Sequence, residues 1–247
     1  MSEPQEDSFI SHLVELRDRL LRAVVAVVAI FVCLMPWAGD IYDILAHPMM
    51  SALPEGTKMI ATGVVTPFFV PMKVTLLVAF VIALPFVLYQ AWCFIAPGLY
   101  AHEKRLGLPL VVGSTVLFLA GMAFCYFFVF GTVFKFIAQF APKSITPAPD
   151  IEQYLAFVMS MFLAFGITFE VPVIVIVLVK LGIVDVAKLK EARPYVIVGA
   201  FVIAAVVTPP DVVSQLMLAV PMCLLYELGI FLSRFVTKTR ADEAVSS

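Results

Sequence analysis

Glu170 is the most informative acidic residue in the sequence, because it stands inside a long apolar run. An ionised carboxylate near the middle of a bilayer costs roughly 2.5–3.5 kcal/mol or more, so we expect this side chain to face protein or a water-filled cavity, or to be protonated. Pro172 lacks a backbone donor and frees the carbonyl of Thr168, which predicts a polar, kinked place in the same helix. Two interpretations stay open: a polar lining on a transport surface, or a protonated glutamate bonded to a neighbouring helix.

Two further carboxylates, Glu15 and Glu103, lie in charged segments beside apolar runs. A carboxylate accepts the planar fork of a guanidinium through charge-assisted, often bidentate hydrogen bonds. If both residues lie on the cytoplasmic side of a membrane, they predict a site for arginine side chains. The residues alone give a weak signal, since Glu103 precedes Lys104 and Arg105 and a surface glutamate beside such neighbours is usually solvated.

Motifs for catalysis and metal binding are missing from the sequence. It contains no His-Glu-x-x-His, no Gly-x-Ser-x-Gly and no phosphate-binding glycine loop. The three histidines are scattered, and the four cysteines stand singly in apolar runs without the spacing of a metal site or a disulfide framework. We therefore expect no enzyme activity, no cofactor and no metal. The formal net charge of −2 does not indicate nucleic acid as a partner.

The apolar composition determines which elements must position these residues. Apolar types make up 62% of the 247 residues, and the mean hydropathy is +1.05. Because a bilayer offers no water to backbone polar groups, long continuous apolar runs predict membrane-spanning helices. The sequence predicts an all-α polytopic membrane protein, a single membrane domain over residues 1–247. Its six predicted spans cover about 21–38, 70–96, 109–138, 152–181, 195–208 and 212–233, with prolines, glycines or charges in the connections.

The distribution of basic residues predicts the orientation of these spans. With a cytoplasmic N-terminus, most of the 16 lysines and arginines lie on the cytoplasmic side, as the positive-inside rule requires. Those on the other side are Lys58, Lys73, Lys135 and Lys143. An even number of spans returns the tail, residues 234–247, to the cytoplasm. The acidic start of the chain is unlike a cleavable signal, so we expect the first span to be retained.

Two elements have unusual patterns. Apolar residues at helical spacing predict a cytoplasmic amphipathic helix over residues 8–20, ahead of the first span. The fifth span reaches only about 20 Å, against a hydrocarbon thickness of about 30 Å. Since the turn at 208–211 leaves almost no loop, we expect the short fifth span and the sixth span to form a tight antiparallel hairpin.

Five segments in register resemble the TatC family, the six-span receptor subunit of the bacterial twin-arginine protein translocase. They are residues 11–20, 94–100 with 102–105, 169–172, 193–195 and 208–211, and the resemblance extends from about residue 8 to 235. It implies folded substrates that carry a signal peptide with paired arginines, and export driven by the proton-motive force. It also implies the bacterial cytoplasmic (inner) membrane as the location. The implied partners are the single-span subunits TatA and TatB, other copies of the chain and the lipid bilayer.

The resemblance also implies roles for individual residues. The family's signal-peptide site corresponds here to Glu15, Leu16, Arg17, Phe94 and Glu103. Glu15 and Glu103 would pair with the signal's arginines, Phe94 would offer an apolar contact, and Arg17 would orient nearby carboxylates. The other implied positions are Glu170 on the concave membrane face, Pro48 and Phe68 in the outer loops, Asp211 at the outer end of the last hairpin, and Thr208 and Gln215 as candidates for hydrogen bonds to a partner helix.

Two other functions stay open on the residues alone. A proton-coupled small-solute carrier would use Glu170 as its titrating group, although the sequence lacks a convincing internal repeat of the kind found in such carriers. A purely structural membrane scaffold would make Glu15 and Glu103 dispensable. Binding of a paired-arginine peptide distinguishes these functions from a signal receptor.

Overall fold

The computed structural model describes residues 4–51, 59–95, 104–140, 148–208 and 211–246, apart from the side chains of 4–11, 104–106, 138, 140 and 235–246. Within these ranges the chain is helical except for short connections, so the predicted all-α class is confirmed. The helices are α1 Pro4–Leu34, α2 Ala38–Met50, α3 Thr66–Ile95, α4 Lys104–Phe124, α5 Phe130–Phe140, α6 Ile151–Phe169, α7 Val171–Lys180, α8 Val186–Glu191, α9 Arg193–Val207 and α10 Val212–Ser246. A 3-10 turn, Met35–Trp37, links α1 to α2, and a π-helical turn, Cys125–Val129, links α4 to α5.

Five helical stretches of the described ranges are long and apolar enough to cross a membrane. They are His12–Met50, Thr66–Ile95, Gly107–Ile137, Ile151–Lys180 and Val212–Arg234. The shorter apolar helix α9 has 15 residues and occupies the place of the predicted fifth span. Each predicted window therefore has an apolar helix at its place, and the fifth is the short one.

Helices extend beyond the predicted windows at three places. The amphipathic segment 8–20 and the first span form one continuous helix, α1. Residues 39–50, predicted as part of a connection, belong to α2, which contains Pro48 two residues before its end. α10 continues past the predicted end at 233 to Ser246, since Lys, Arg, Ala and Glu in that tail are good helix formers. Hydropathy windows detect apolar content, and these extensions are polar or interrupted by proline.

The chain forms two compact units, the first of which comprises residues 1–45 and 67–115. In this unit the indole Nε1 of Trp92 on α3 donates a hydrogen bond to Ser114 Oγ on α4 at 2.9 Å. Trp92 is 5% exposed and Ser114 is fully buried, so loss of either partner would leave a buried polar group at a cost of about 1–3 kcal/mol. The bond fixes the C-terminal part of α3 against the first half of α4.

The second unit comprises residues 46–66 and 116–247, and aromatic rings dominate its core. The ring of Phe130 contacts those of Phe134, Phe157 and Phe162 at centroid distances of 5.6, 5.9 and 5.2 Å. Offset and edge-to-face pairs of this kind contribute about 0.5–1.5 kcal/mol each beyond the burial of their area. This ring cluster joins α5 to α6.

Glycines allow a close approach between α4 and α6. A Cβ added to Gly121 would lie 2.5 Å from the backbone oxygen of Phe165, and one added to Gly166 would lie 2.4 Å from the ring of Phe118. Only glycine fits at both positions, which is the small-residue packing that lets helices associate in lipid without a hydrophobic driving force.

The predicted interruption of the fourth span is confirmed at Glu170, which separates α6 from α7. The Glu170 N–H donates to the Ile167 carbonyl three residues back at 3.0 Å, and Pro172 supplies no donor in the next turn. α7 then packs closely on α10, because a Cβ added to Gly229 would lie 3.0 Å from Pro172 Cα. The break is thus covered by a neighbouring helix.

A polar clamp holds the segment 59–62 to the start of α6. Backbone hydrogen bonds of 3.0 and 2.9 Å join Ile60 to Pro149 and Ile151. The Thr62 hydroxyl and N–H donate to Asp150 Oδ2 at 2.6 and 3.1 Å, while Asp150 Oδ1 caps the first N–H groups of α6. The Thr62 hydroxyl, together with the cap, lowers the pKa of Asp150 below its ordinary value.

The glycine contact between α4 and α6 gives the first prediction. Gly121→Ala is expected to destabilise the protein by about 1–3 kcal/mol, because the new methyl group must displace the Phe165 backbone. Gly131→Ala on α5 is the matched control, since nothing lies within 4 Å of its added Cβ and alanine favours the helix by about 0.5–1 kcal/mol. Thermal unfolding of the two variants in detergent measures the difference. Equal stability would contradict the close approach.

Candidate recognition site on α1

Glu15, a predicted ligand for arginine, is paired within its own helix. Arg19 lies one turn further along α1 and donates from Nε and Nη2 to Glu15 Oε1 at 2.8 and 2.5 Å. The glutamate precedes the arginine by four residues, which is the favourable orientation for such a pair on a helix. The side chains of Glu15 and Arg19 are 40% and 24% exposed, so the carboxylate stays accessible from solution.

Arg17 forms an ion pair with its neighbour Asp18. Its Nε and Nη2 atoms donate to Asp18 Oδ1 at 3.0 and 2.8 Å, and both side chains are largely exposed. Arg17 is therefore paired with Asp18, and its role in orienting the carboxylates of the site stays a prediction. Leu16 between them is 40% exposed and presents an apolar side chain on the helix surface.

Phe94, at the end of α3, contacts α1 through an aromatic stack. The rings of His12 and Phe94 have centroids 4.3 Å apart and an interplanar angle of 19°. The preceding residue on α3, Cys93, has its thiol beside the Arg19 guanidinium. The structure therefore places Glu15 and Phe94 on two helices that contact each other in the first unit, whereas Glu103 lies outside the described residues and its position stays a prediction.

Glu170 lies at the junction of α6 and α7 and is 7% exposed. The preceding residue, Phe169, packs beside Gly121, since a Cβ added to Gly121 would lie 2.9 Å from the Phe169 ring. Glu170 is therefore buried within the chain, which agrees with the expectation that it faces protein.

Asp211 has a clear structural role as the N-cap of α10. Its Oδ1 accepts from the Ser214 N–H at 2.7 Å and its Oδ2 accepts from the Ser214 hydroxyl at 2.5 Å. Helix N-termini leave four N–H groups without helical partners, and an aspartate is among the best residues to satisfy them. The implied functional position thus fixes the start of the last helix.

Thr208 and Gln215 hydrogen bond within the hairpin of α9 and α10. The Thr208 hydroxyl is buried and donates to the Ala204 carbonyl at 2.8 Å. The Gln215 side-chain amide donates to the Phe201 carbonyl at 3.3 Å, which links the two helices. A partner helix would therefore meet Gln215 more readily than Thr208.

The two implied outer-loop positions lie on helices. Pro48 is half-buried near the end of α2. Phe68 is in the first turn of α3, is 64% exposed and has its ring in an edge contact with Phe69 at 5.4 Å. Both assignments to loops were wrong, because helix α2 and the first turn of α3 extend into the predicted connection.

An inter-helix ion pair at the start of α9 was missed in the sequence. Arg193 Nη2 donates to Glu227 Oε2 at 2.7 Å, and its Nε lies 2.7 Å from Oε1. Beside it the Tyr226 hydroxyl donates to the Leu189 carbonyl at 2.7 Å. Since the partners are 34 and 37 residues apart, no local spacing indicates them, although charge inside an apolar run at Glu227 was a signal to seek a partner.

Comparison with known proteins places these features in a family. The family model described as Sec-independent protein translocase protein (TatC) matches residues 11–221. The chain belongs to the TatC family. The TatC of Haemophilus influenzae is 51% identical over 98% of this chain and 95% of its own length, and that of Escherichia coli is 50% identical over 95% and 91%. A solved structure described as the twin arginine translocase receptor TatC is 40% identical, with a TM-score of 0.80, and covers 92% of this chain and 99% of that one.

TatC membership decides among the functions that the residues left open. The chain is a protein translocase component, which is a transport role and not a catalytic one. This favours the translocase over the small-solute carrier and over a passive scaffold. The apolar helices and the bacterial relatives together indicate a membrane-embedded protein of the bacterial inner membrane.

The cap on α10 gives a prediction about this chain. Asp211→Ala should lower stability by about 0.5–2 kcal/mol, because the Ser214 N–H loses its partner, whereas Asp211→Asn retains a capping oxygen and most of the stability. Thermal unfolding in detergent measures both, with precursor export assayed in parallel. If Asp211→Asn is as stable as the parent but inactive in export, the carboxylate charge has a role beyond the cap.

Proposed function

We propose that this TatC chain is the core receptor subunit of the twin-arginine translocation system. It binds paired-arginine signal peptides of folded precursors at its cytoplasmic face. With TatA and TatB it mediates their export, driven by the proton-motive force. The observation that carries the proposal is the likeness, at 40% identity and a TM-score of 0.80, to a structure described as the twin arginine translocase receptor.

The proposed topology has six spans with both termini in the cytoplasm. The five long apolar stretches and α9 support this count, and the excess of lysine and arginine on one side supports the orientation. α9 reaches only about 22 Å, so the bilayer would have to thin beside it or the helix would need protein neighbours at its ends.

The proposed signal site combines carboxylates with an apolar contact. Glu15 is partly exposed on α1, and Arg19 already bonds its Oε1, so a signal arginine that bonds the carboxylate at two points would need both Oε1 and Oε2. Phe94 lies on the neighbouring helix of the same unit. Glu103, Leu16 and Arg17 complete the site in this proposal. Arginine suits it better than lysine because its planar fork can bond a carboxylate at two points.

The proposed docking surface for the single-span partners is the hairpin of α9 and α10. Its exposed apolar side chains include Val198, Val202 and Val206 at 63%, 56% and 80% exposure, which fall on one face of α9 at helical spacing. A single helix with a complementary apolar face fits such a surface. Interhelical hydrogen bonds in lipid contribute only about 0.6–2 kcal/mol, so shape must carry much of this association.

Glu170 is proposed to provide a polar place that lets a signal hairpin or a partner helix enter the bilayer. Its burial and its position at the break between α6 and α7 support that idea. Further copies of the chain and the surrounding lipid are proposed as additional partners.

Substitution of Glu170 tests this role. Glu170→Leu is expected to reduce export strongly, and Glu170→Gln to retain more of it, because the amide keeps the site polar. Ile167→Leu on the same helix, at a position 60% exposed, is the control for a change in apolar shape. Export of a precursor into membrane vesicles is the readout. Full export by both Glu170 variants would contradict the proposal.

Site-specific crosslinking tests the receptor function itself. A photo-crosslinking residue at position 103, in membranes, should capture a precursor with an arginine pair and lose it when the pair is changed to lysines. The control carries the crosslinker at Val64, which is fully exposed and lies beyond the proposed cytoplasmic face. Capture of both precursors equally, or of neither by folded protein, would contradict the assignment.

A further inference from the structure

Both groups proposed to receive the signal peptide are already in contact with α1's own side chains. The Glu15 carboxylate holds the Arg19 guanidinium at 2.5 and 2.8 Å. The rings of Phe94 and His12 are stacked with their centroids 4.3 Å apart. The Arg19 guanidinium and the His12 ring thus occupy the positions proposed for the arginine and the apolar side chain of the signal peptide.

The geometry of the Arg19 contact is that of a bound guanidinium. Two nitrogens of one fork converge on Oε1, the charge-assisted arrangement that an external arginine would also use. Arg19 is the less exposed partner of the pair, at 24% against 40% for Glu15, and lies beside Cys93 of α3. Arg19 therefore interacts with side chains of both α1 and α3.

We propose that Arg19 is an internal ligand of Glu15 that competes with an incoming signal arginine, so that the resting receptor is self-occupied. This inference rests on the proposed function. A second guanidinium near Glu15 meets the positive charge of Arg19 and an oxygen that is already engaged, so tight binding requires Arg19 to move aside. Arg19 then sets the affinity of the site without contacting the signal in the bound state.

Competition of this kind has a quantitative signature. The apparent dissociation constant equals the intrinsic constant divided by the fraction of sites that are free to bind, and that fraction is the same for every peptide. Removal of Arg19 should therefore tighten binding of an arginine-pair peptide and of its lysine counterpart by the same factor. The ratio of the two affinities stays at the value set by Glu15 and its neighbours.

The test uses the full chain in lipid nanodiscs and a fluorescent signal peptide with an arginine pair, with the lysine-pair peptide measured beside it. Arg19→Gln is expected to tighten both peptides about two- to fivefold, the range that corresponds to release of one partly exposed ion pair. Arg22→Gln is the matched control. It removes the same charge from α1 at a position two turns from Glu15, where the structure shows no ion pair to Glu15 within the described residues. Its effect on binding should therefore be smaller.

Each result has a defined meaning. Unchanged or weaker binding by a folded Arg19→Gln protein, or a changed arginine-to-lysine ratio, overturns the competition. If Arg19→Gln unfolds, Arg19→Lys replaces it in the test. Lysine keeps the charge but lacks the planar fork, so the Arg19→Lys protein should bind the arginine peptide more tightly than the parent. Failure of the parent to bind either peptide would refute the proposed function, whereas an arginine-selective parent with a neutral Arg19→Gln would refute only this inference.

Discussion

Backbone amides and carbonyls find no hydrogen-bond partner in hydrocarbon, and the form of each apolar segment of this chain follows from that constraint. At two of the places where the α-helical pattern is interrupted, protein covers the interruption. Glu170, between α6 and α7, is 7% exposed, and Pro172 lies against Gly229 of α10. The π-helical turn Cys125–Val129 has both of its end residues fully buried. The close contact of Gly229 with Pro172 thus helps to cover the break beside a buried acid.

How far the sequence predicts this structure depends on the range of the interactions. The apolar windows locate the helices because transfer to lipid depends on composition within one segment, yet they miss α2 and the polar end of α10, where helix formation continues without hydropathy. Asp150 received no role, because its partner Thr62 lies 88 residues away. Arg19 was overlooked as the partner of Glu15 although the four-residue spacing was visible, since the family resemblance directs attention to an external arginine.

Several charged side chains on the helices are neutralised in pairs. Arg17 bonds Asp18 and Arg19 bonds Glu15 on α1, and Arg193 bonds Glu227 between α9 and α10. Each such pair contributes little in water, about 0–1 kcal/mol. Pairing nevertheless reduces the local electric field of charged side chains that lie beside apolar spans. In a recognition site at a membrane edge, the carboxylates that would bind a ligand can then be present but already paired.

The carboxylate of Asp150 has a consequence for proton linkage. A group whose native pKa is lowered adds stability that is complete above its unfolded value, about 3.9, and is lost only as the pH falls through the lower native value. The attachment of segment 59–62 to α6 therefore stays charged and intact through mild acidification. A membrane that stores energy as a proton gradient is acidic on one face. Such a gradient would not break an attachment that depends on a carboxylate with a lowered pKa.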